Sequence, residues 1–293
     1  MAPEESRLER ARVAVIPAPF DQTTSYLPGT RFGPRAMLEA SRQVEFFDEE
    51  LDREPFEIGV ATLEEIEVDP ADIEAGLRRL EQTVEAVAEK GIVPFTFGGE
   101  HSLTLAPVAA LVRRFPGLGV LQLDAHLDLR DSYQGTKLSH ACVMRRIREL
   151  GIPTVAVGIR SVSREEADYV HAEKAAVFLG REIRAKGLPV DEIVDRLGNP
   201  VYVTVDLDAF DPAYVPGVGT PEPGGMTWEE GLRLLRAVFE RRQVVGMDIV
   251  ELCPISGQVV SDFFAAKLAH KMIGYLGLSP EPPQAKRPAR RRR

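Results

Sequence analysis

The sequence has few cysteines and no long apolar run. Cys142 and Cys253 are the two cysteines among 293 residues, and neither stands in a CxxC spacing. This indicates neither a disulfide framework nor a thiolate metal site, so a reducing cytoplasm is the expected compartment. No apolar run approaches the roughly 18 residues that a membrane span needs, and the N-terminal stretch MAPEESRLER is polar and acidic. We therefore expect a soluble, untargeted protein.

Positive charge is scarce outside the C-terminal end. The formal net charge is −9, yet residues 286–293 (KRPARRRR) carry six of the 36 lysines and arginines. Without those six positive charges the net charge of −9 would be −15, so the body of the chain should favour cationic partners and disfavour nucleic acid. We predict a disordered tail at 279–293 because its flank is rich in proline. The alternative is a tail that binds nucleic acid or another acidic surface.

Short apolar runs alternate with segments of helical periodicity. The candidate strands are 12–17, 56–61, 92–97, 118–123, 153–158, 175–179, 200–206 and 243–250. Apolar residues recur at helical spacing between 73 and 87, Thr227 to Glu230 reads as a capping box, and 261–276 reads as a final helix. The alternation predicts an α/β fold in which helices flank a mainly parallel, eight-stranded sheet. We expect one domain over residues 1–278.

Residues with metal-binding side chains follow three of the predicted strands. In an extended segment alternate residues point to one side, and the carboxyl ends of parallel strands meet at one edge of a sheet. Six side chains are therefore expected to converge. They lie in GGEHS (98–102), DAHLD (124–128) and DLD (206–208), and they are His101, Asp124, His126, Asp128, Asp206 and Asp208.

Four carboxylates buried together need compensating cations, because like charges a few Å apart cannot all stay ionised. Two divalent ions would supply that charge. Imidazole and carboxylate ligands without a thiolate favour Mn²⁺ over zinc, although cobalt, nickel or iron would bind in vitro. We predict two Mn²⁺ per subunit, and the alternative is a chance loop of polar residues.

These motifs, together with SHACVMRR (139–146), the segment 206–225 and DIVELCP (248–254), resemble the ureohydrolases. That family includes arginases, agmatinases, guanidinobutyrases and formiminoglutamases, and the resemblance spans roughly residues 12–275. It implies the arginase-type α/β fold with a dinuclear manganese centre. It also implies that His101 and Asp128 bind one metal, that His126 and Asp208 bind the other, and that Asp124 and Asp206 bridge the pair.

The resemblance further implies how the reaction proceeds. A hydroxide that bridges the metals attacks the guanidinium carbon, because metal coordination makes water a nucleophile at neutral pH. Asp128 relays a proton to the leaving amine. Glu251 matches a glutamate that binds the guanidinium, and His140 matches a proton shuttle or substrate contact. Glu100, beside His101, is expected to support the ligands without binding metal.

The loops carry the information about the substrate. Segments 23–41 and 220–225 are similar to those of agmatinases, and the asparagines with which arginases hold the α-carboxylate are missing here, where Arg130 and KLSHAC (137–142) stand instead. Counting metals, ligands, hydroxide and Glu251 gives a site charge near −2, which suits a dication. We predict hydrolysis of agmatine to putrescine and urea, a step of polyamine biosynthesis.

Several alternatives stay open. N1-aminopropylagmatine is the nearest competitor, followed by arginine and by guanidinobutyrate, whose carboxylate lacks a basic partner identifiable from the sequence. A single-zinc, deacetylase-like amide hydrolase and a non-catalytic binding protein are readings from other classes. The resemblance also implies a homo-oligomer, a trimer or hexamer.

Overall fold

One parallel sheet runs through residues 7–280, the part of the chain that this computed structural model describes. Its eight strands lie in the order β2-β1-β3-β8-β7-β4-β5-β6, and every neighbouring pair is parallel. The predicted α/β class and eight-stranded sheet are confirmed. The strands are β1 (Val13–Ala18), β2 (Val60–Thr62), β3 (Val93–Gly98), β4 (Gly119–Leu123), β5 (Thr154–Ile159), β6 (Ala176–Leu179), β7 (Val201–Asp206) and β8 (Val244–Val250).

Helices cover both faces of the sheet, as predicted. Alternate residues of one strand point to opposite faces, so Val13 belongs to one buried apolar cluster and Ala14 to the other. Within residues 7–280 the α-helices are α1 (Gly33–Ser41), α2 (Ile73–Glu89), α3 (Leu105–Val112), α4 (Val143–Glu149), α5 (Arg164–Glu173), α6 (Gly180–Lys186), α7 (Val190–Arg196), α8 (Trp228–Arg241) and α9 (Val260–Leu276).

The predicted helix signals correspond to real helix ends. The Thr227 hydroxyl accepts from the Glu230 N–H and the Glu230 carboxylate accepts from the Thr227 N–H, which is the predicted capping box at the start of α8. Helix α2 ends just before Gly91, whose φ of +76° lies in the left-handed region that glycine favours.

The predicted strand 56–61 is wrong over most of its length. Residues Pro55–Ile58 form a 3₁₀ turn, and only Val60–Thr62 pair with β1. Gly59 separates the two with a φ of +84°, and a Cβ there would lie 2.6 Å from the carbonyl oxygen of Arg10. Proline fixes the backbone at the start of such a turn, and glycine permits its exit, so the apolar run was not one strand.

Predictions from the sequence also concern the C-terminal tail and membrane spans. The predicted tail, 279–293, lies outside the described residues except for Ser279 and Pro280. Within residues 7–280, no helix has both the length and the apolar character that crossing a membrane requires.

The four central strands of the sheet position the candidate site. Strands β3, β8, β7 and β4 are neighbours in that order, and their carboxyl ends are Gly98, Val250, Asp206 and Leu123. Asp206 is itself the last residue of β7, and the other predicted metal ligands and Glu251 follow these ends within five residues. One edge of the sheet therefore gathers residues that are far apart in sequence.

Candidate metal centre

The six predicted ligands lie together at that edge. His101 Nδ1 is 3.1 Å from Asp124 Oδ2, 3.1 Å from Asp128 Oδ2 and 3.3 Å from Asp206 Oδ2. His126 Nδ1 is 2.9 Å from Asp208 Oδ2 and 3.7 Å from Asp124 Oδ1. All four carboxylates and His101 are buried, whereas the His126 side chain is 27% exposed.

The ligand atoms form two groups that share one carboxylate. His101, Asp124 and Asp206 form one group, and Asp124, His126 and Asp208 form the other, with the ligand atoms of each group within 4.8 Å of one another. Asp124 presents one oxygen to each histidine. This arrangement offers two neighbouring cation positions with Asp124 between them, and Asp128 lies beside the first.

The prediction that an extended backbone brings these ligands together is wrong, because the chain does not stay extended after the strands. The Asp124 carboxylate accepts from the His126 N–H at 2.6 Å, and the Asp206 carboxylate accepts from the Asp208 N–H at 2.8 Å. Asp128 has a φ of +54°. Tight turns closed by aspartate side chains therefore turn the ligands toward one point.

The ring of His101 shows that a cation fits the site. Its Nε2 lies 2.9 Å from Thr204 Oγ1. When Nε2 of the neutral ring carries the hydrogen and donates it to Thr204, Nδ1 carries a lone pair. Within residues 7–280 this buried Nδ1 makes no hydrogen bond of acceptable geometry, although three carboxylates surround it. Lone pairs and carboxylate oxygens face each other favourably only around a cation.

The carboxylates raise one another's affinity for positive charge. Burial, together with Asp208 and Asp124, raises the pKa of Asp206 well above its usual value. Burial and Asp124 raise the pKa of Asp128 to about 7. Although burial alone would lower it, the nearby Asp208 and Asp124 raise the pKa of His126 to about 12. The site therefore holds cations, as protons or as metal ions.

A cavity of about 210 Å³ opens directly above the ligands. Five of the six predicted ligands line it, as do both predicted substrate contacts, Glu251 and His140. Glu251 follows β8 with a φ of +65°, and its Oε1 accepts from the His101 N–H at 2.7 Å. Burial raises the pKa of Glu251 to about 8, and burial lowers the pKa of His140 to about 4.

The outer wall of the cavity comes from the loop after β1 and from the segment after β4. Thr24 to Leu27 come from the first of these segments, Arg130, Tyr133 and Ala141 come from the second, and all of them line the cavity. Tyr26 is 71% exposed, so the cavity is open at this end. The Arg130 guanidinium lies 5.0 Å from the centre of the Tyr133 ring.

Sequence reasoning missed three charged residues of the site. Arg130 was noted only as a replacement for asparagine, yet it lines the cavity. Glu222 Oε1 lies 3.9 Å from His126 Nε2. Arg160 donates to the backbone carbonyls of Asp208 and Glu222, and it could have been flagged because it directly follows β5 at the same edge.

Glu100 is buried next to His101 but outside the two ligand groups. Its Oε2 accepts from the Thr23 N–H at 2.6 Å, and its Oε1 accepts from the hydroxyls of Thr23 and Ser102. Glu100 thus ties the loop after β1 to the turn that carries His101.

Comparisons with known proteins agree with the fold. The arginase family matches residues 11–274. An N(1)-aminopropylagmatine ureohydrolase from Synechocystis sp. is 42% identical, over 92% of this chain and 90% of that protein. Another from Thermus thermophilus is 39% identical, over 94% of each chain. The crystal structure of the agmatine ureohydrolase of Thermoplasma volcanium is similar with a TM-score of 0.85 and 34% identity, over 94% of this chain and 93% of that chain.

Proposed function

This chain belongs to the arginase family and is a ureohydrolase, and we propose that its substrate is N1-aminopropylagmatine, which it cleaves to urea and spermidine. The observation that carries the choice is the similarity over almost the whole chain to two enzymes of that name, at 42% and 39% identity. The similar agmatine ureohydrolase has 34%. We therefore replace agmatine, the substrate preferred from the sequence, by its longer relative.

The open end of the cavity supports a longer substrate. Tyr26 and Leu27 form part of the wall farthest along the loop, and both are exposed. A guanidinium seated on Glu251 leaves the rest of an extended polyamine to pass between this loop and Tyr133 toward solvent. The exposed Tyr26 ring offers an ammonium group a cation–π surface at that exit.

We infer that two Mn²⁺ ions bind at the two groups of ligands. His101 and Asp128 would hold one ion, His126 and Asp208 the other, and Asp124 and Asp206 would be shared. When bound, the ions lower the pKa of water and so supply a nucleophile at neutral pH.

The side chains around the cavity have separate tasks in this proposal. Glu251 presents a carboxylate to the planar guanidinium and orients it over the ligands. Its Oε1 already holds the His101 N–H, so Oε2 serves the substrate. Asp128, buried beside His101, carries a proton to the leaving amine. His140 stays neutral because it is buried, and it acts on the part of the substrate beyond the guanidinium.

Arg130 favours a second candidate. The charge count from sequence omitted it, and including it brings the site from near −2 to near −1. It is also the basic partner that a guanidino acid such as guanidinobutyrate needs for its carboxylate. A guanidino acid is therefore the second candidate substrate.

Urea release with Mn²⁺ present tests the proposal. We expect kcat/KM for N1-aminopropylagmatine to exceed that for agmatine at least about 10-fold, which is the worth of one additional contact of about 1.4 kcal/mol. Guanidinobutyrate and arginine should be poorer still, and Arg130→Gln should not impair the polyamine. Equal turnover of agmatine would refute the substrate choice, and loss of guanidinobutyrate turnover in Arg130→Gln would support the second candidate.

The homo-oligomer, its number of subunits and the cytoplasmic compartment stay predictions. Analytical ultracentrifugation of the full chain at several concentrations measures the first two, and sedimentation as a monomer at every concentration would contradict them.

A further inference from the structure

A short hydrogen-bonded path connects Glu100 to His140 through Thr23. The Thr23 hydroxyl oxygen lies 2.8 Å from Glu100 Oε1, 3.0 Å from the His140 backbone nitrogen and 3.2 Å from His140 Nδ1. The Thr23 N–H also donates to Glu100 Oε2, at 2.6 Å. Thr23 therefore contacts the buried Glu100 carboxylate and two nitrogens of His140, the backbone nitrogen and the ring nitrogen Nδ1.

The direction of the single Thr23 hydroxyl hydrogen determines which of the neighbouring groups donate hydrogen bonds and which accept them. A carboxylate only accepts, so the hydroxyl hydrogen is directed to Glu100. The two lone pairs of the oxygen are then left for His140, whose backbone N–H takes one. The contact to Nδ1 is favourable only if Nδ1 carries a hydrogen and donates it. Ser139 Oγ, 3.4 Å from the same nitrogen, accepts from the Ala141 N–H and is the weaker neighbour.

We propose that Glu100 is a positioning residue that, through Thr23, holds His140 in the tautomer with hydrogen on Nδ1 and a lone pair on Nε2. Nε2 lies 3.4 Å from the hydroxyl of Ser25, and both residues line the cavity. His140 therefore presents an acceptor to the cavity. It receives a hydrogen bond from an ammonium or amine of the substrate, and it does not donate one.

Glu100 has a second effect through the same contacts. The Thr23 main chain leads directly into Thr24 to Leu27, which form the outer wall of the cavity. Because Glu100 holds both the N–H and the hydroxyl of Thr23, it fixes the position of this wall together with the ring of His140. The effect on turnover rests on the proposed function, whereas the tautomer does not.

The variant Glu100→Gln tests the path because it should reverse the direction of the hydrogen bonds from residue 100 through Thr23 to His140. The Thr23 N–H needs an acceptor, so the glutamine oxygen occupies that position and the NH₂ group faces the Thr23 hydroxyl. The hydroxyl then accepts from the amide, and its hydrogen is free to be donated to His140 Nδ1. The hydrogen of His140 is therefore expected on Nε2 in this variant.

Neutron diffraction from crystals of the perdeuterated, manganese-loaded full chain locates the hydrogen. We expect deuterium on Nδ1 alone in the wild type and on Nε2 alone in Glu100→Gln. Deuterium on Nε2 in the wild type, on both nitrogens, or on Nδ1 in both proteins would overturn the proposal. This measurement does not require turnover, so it remains decisive if no guanidino compound proves to be a substrate.

Kinetics separates positioning from a general structural role. Glu100→Gln and Thr23→Val should each lower kcat/KM for the best substrate about 10- to 100-fold, the range typical of residues that orient a functional side chain. Thr23→Ser, which retains the hydroxyl, should stay within about threefold of the wild type. Metal content, measured by mass spectrometry, should remain that of the wild type in all three variants. A kcat/KM loss in Thr23→Ser as large as in Thr23→Val, or metal loss in parallel with activity, would overturn the role.

Discussion

Replacing Arg160 with methionine should weaken both the fold and the metal centre. The guanidinium donates to the carbonyl oxygens of Asp208, Glu222 and Gly158, the last two at 2.8 and 3.1 Å. It thus joins the end of β5, the turn that carries Asp208 and the loop that carries Glu222. Arg160→Met retains much of the apolar stem and removes every donor.

The expected loss follows from these three bonds. Hydrogen bonds from a charged donor contribute roughly 1.5–3 kcal/mol each, but water can reach this half-buried site and replace part of that contribution. We therefore expect a loss of about 3 kcal/mol in the free energy of unfolding. For a chain of this size that corresponds to a fall of roughly 6–12 °C in Tm. Arg160→Lys should lose less, because one ammonium can still reach some of the carbonyls.

Urea denaturation and manganese titration of the same variants check this prediction. Because the freed turn carries Asp208, we expect manganese affinity to fall about 10- to 100-fold in Arg160→Met. The matched control is Arg164→Met, whose side chain is 90% exposed and, among residues 7–280, pairs with Asp168 on the surface of α5. That control should lose at most about 0.5 kcal/mol. If Arg160→Met is as stable as the control and binds manganese as the wild type does, the reasoning is refuted.

Three further predictions concern other parts of the molecule. Glu251→Gln should lower kcat/KM about 10- to 100-fold, because a charge-assisted bond to the guanidinium is lost. The control Glu229→Gln, at an exposed residue, should leave steady-state kinetics unchanged. Equal effects of the two substitutions would contradict the role of Glu251. Metal analysis should find close to two manganese ions per chain, and a single zinc would instead support an amide hydrolase. Chelation should lower the Tm, by the equivalent of about 2.7 kcal/mol for each site relative to protein with free metal at 100 times its Kd. Lys271→Met should cost about 3–5 kcal/mol at pH 7, because the buried Lys271 ammonium lies 2.9 Å from the buried Asp48 carboxylate, which would lose this positively charged partner. Burial would raise the pKa of Asp48, but its bond to Lys271 lowers this pKa overall. The stabilisation by the ion pair is therefore present above the usual pKa near 4 and is lost as the pH falls through the lowered pKa. Urea unfolding should show that the substitution costs less at pH 3 than at pH 7, and a cost that does not depend on pH would contradict this prediction.

Most of the strands, and the three helices α2, α8 and α9, could be predicted because their signals are local. A buried parallel strand needs an unbroken apolar run, and the capping box at Thr227 needs residues three positions apart. The failure at 56–61 has a local cause as well, since Pro55 directly precedes the run and Gly59 interrupts it, and these two signals outweigh its apolar character. The close approach of Gly59 to the Arg10 carbonyl could not be seen from the sequence, because it joins segments far apart along the chain.

The sequence by itself determined the chemistry of the centre: two imidazoles and four carboxylates at strand ends can meet at one edge and require cations, because charges of one sign cannot be buried together. Only the tertiary structure decided how they meet, since the convergence depends on aspartate-closed turns and on the φ of +54° at Asp128. It alone brought Arg130 into the cavity wall and joined Glu100 to His140 through Thr23. These relations depend on contacts between residues 77 and 117 positions apart in sequence or on the direction of one side chain, and spacing along the chain predicts neither.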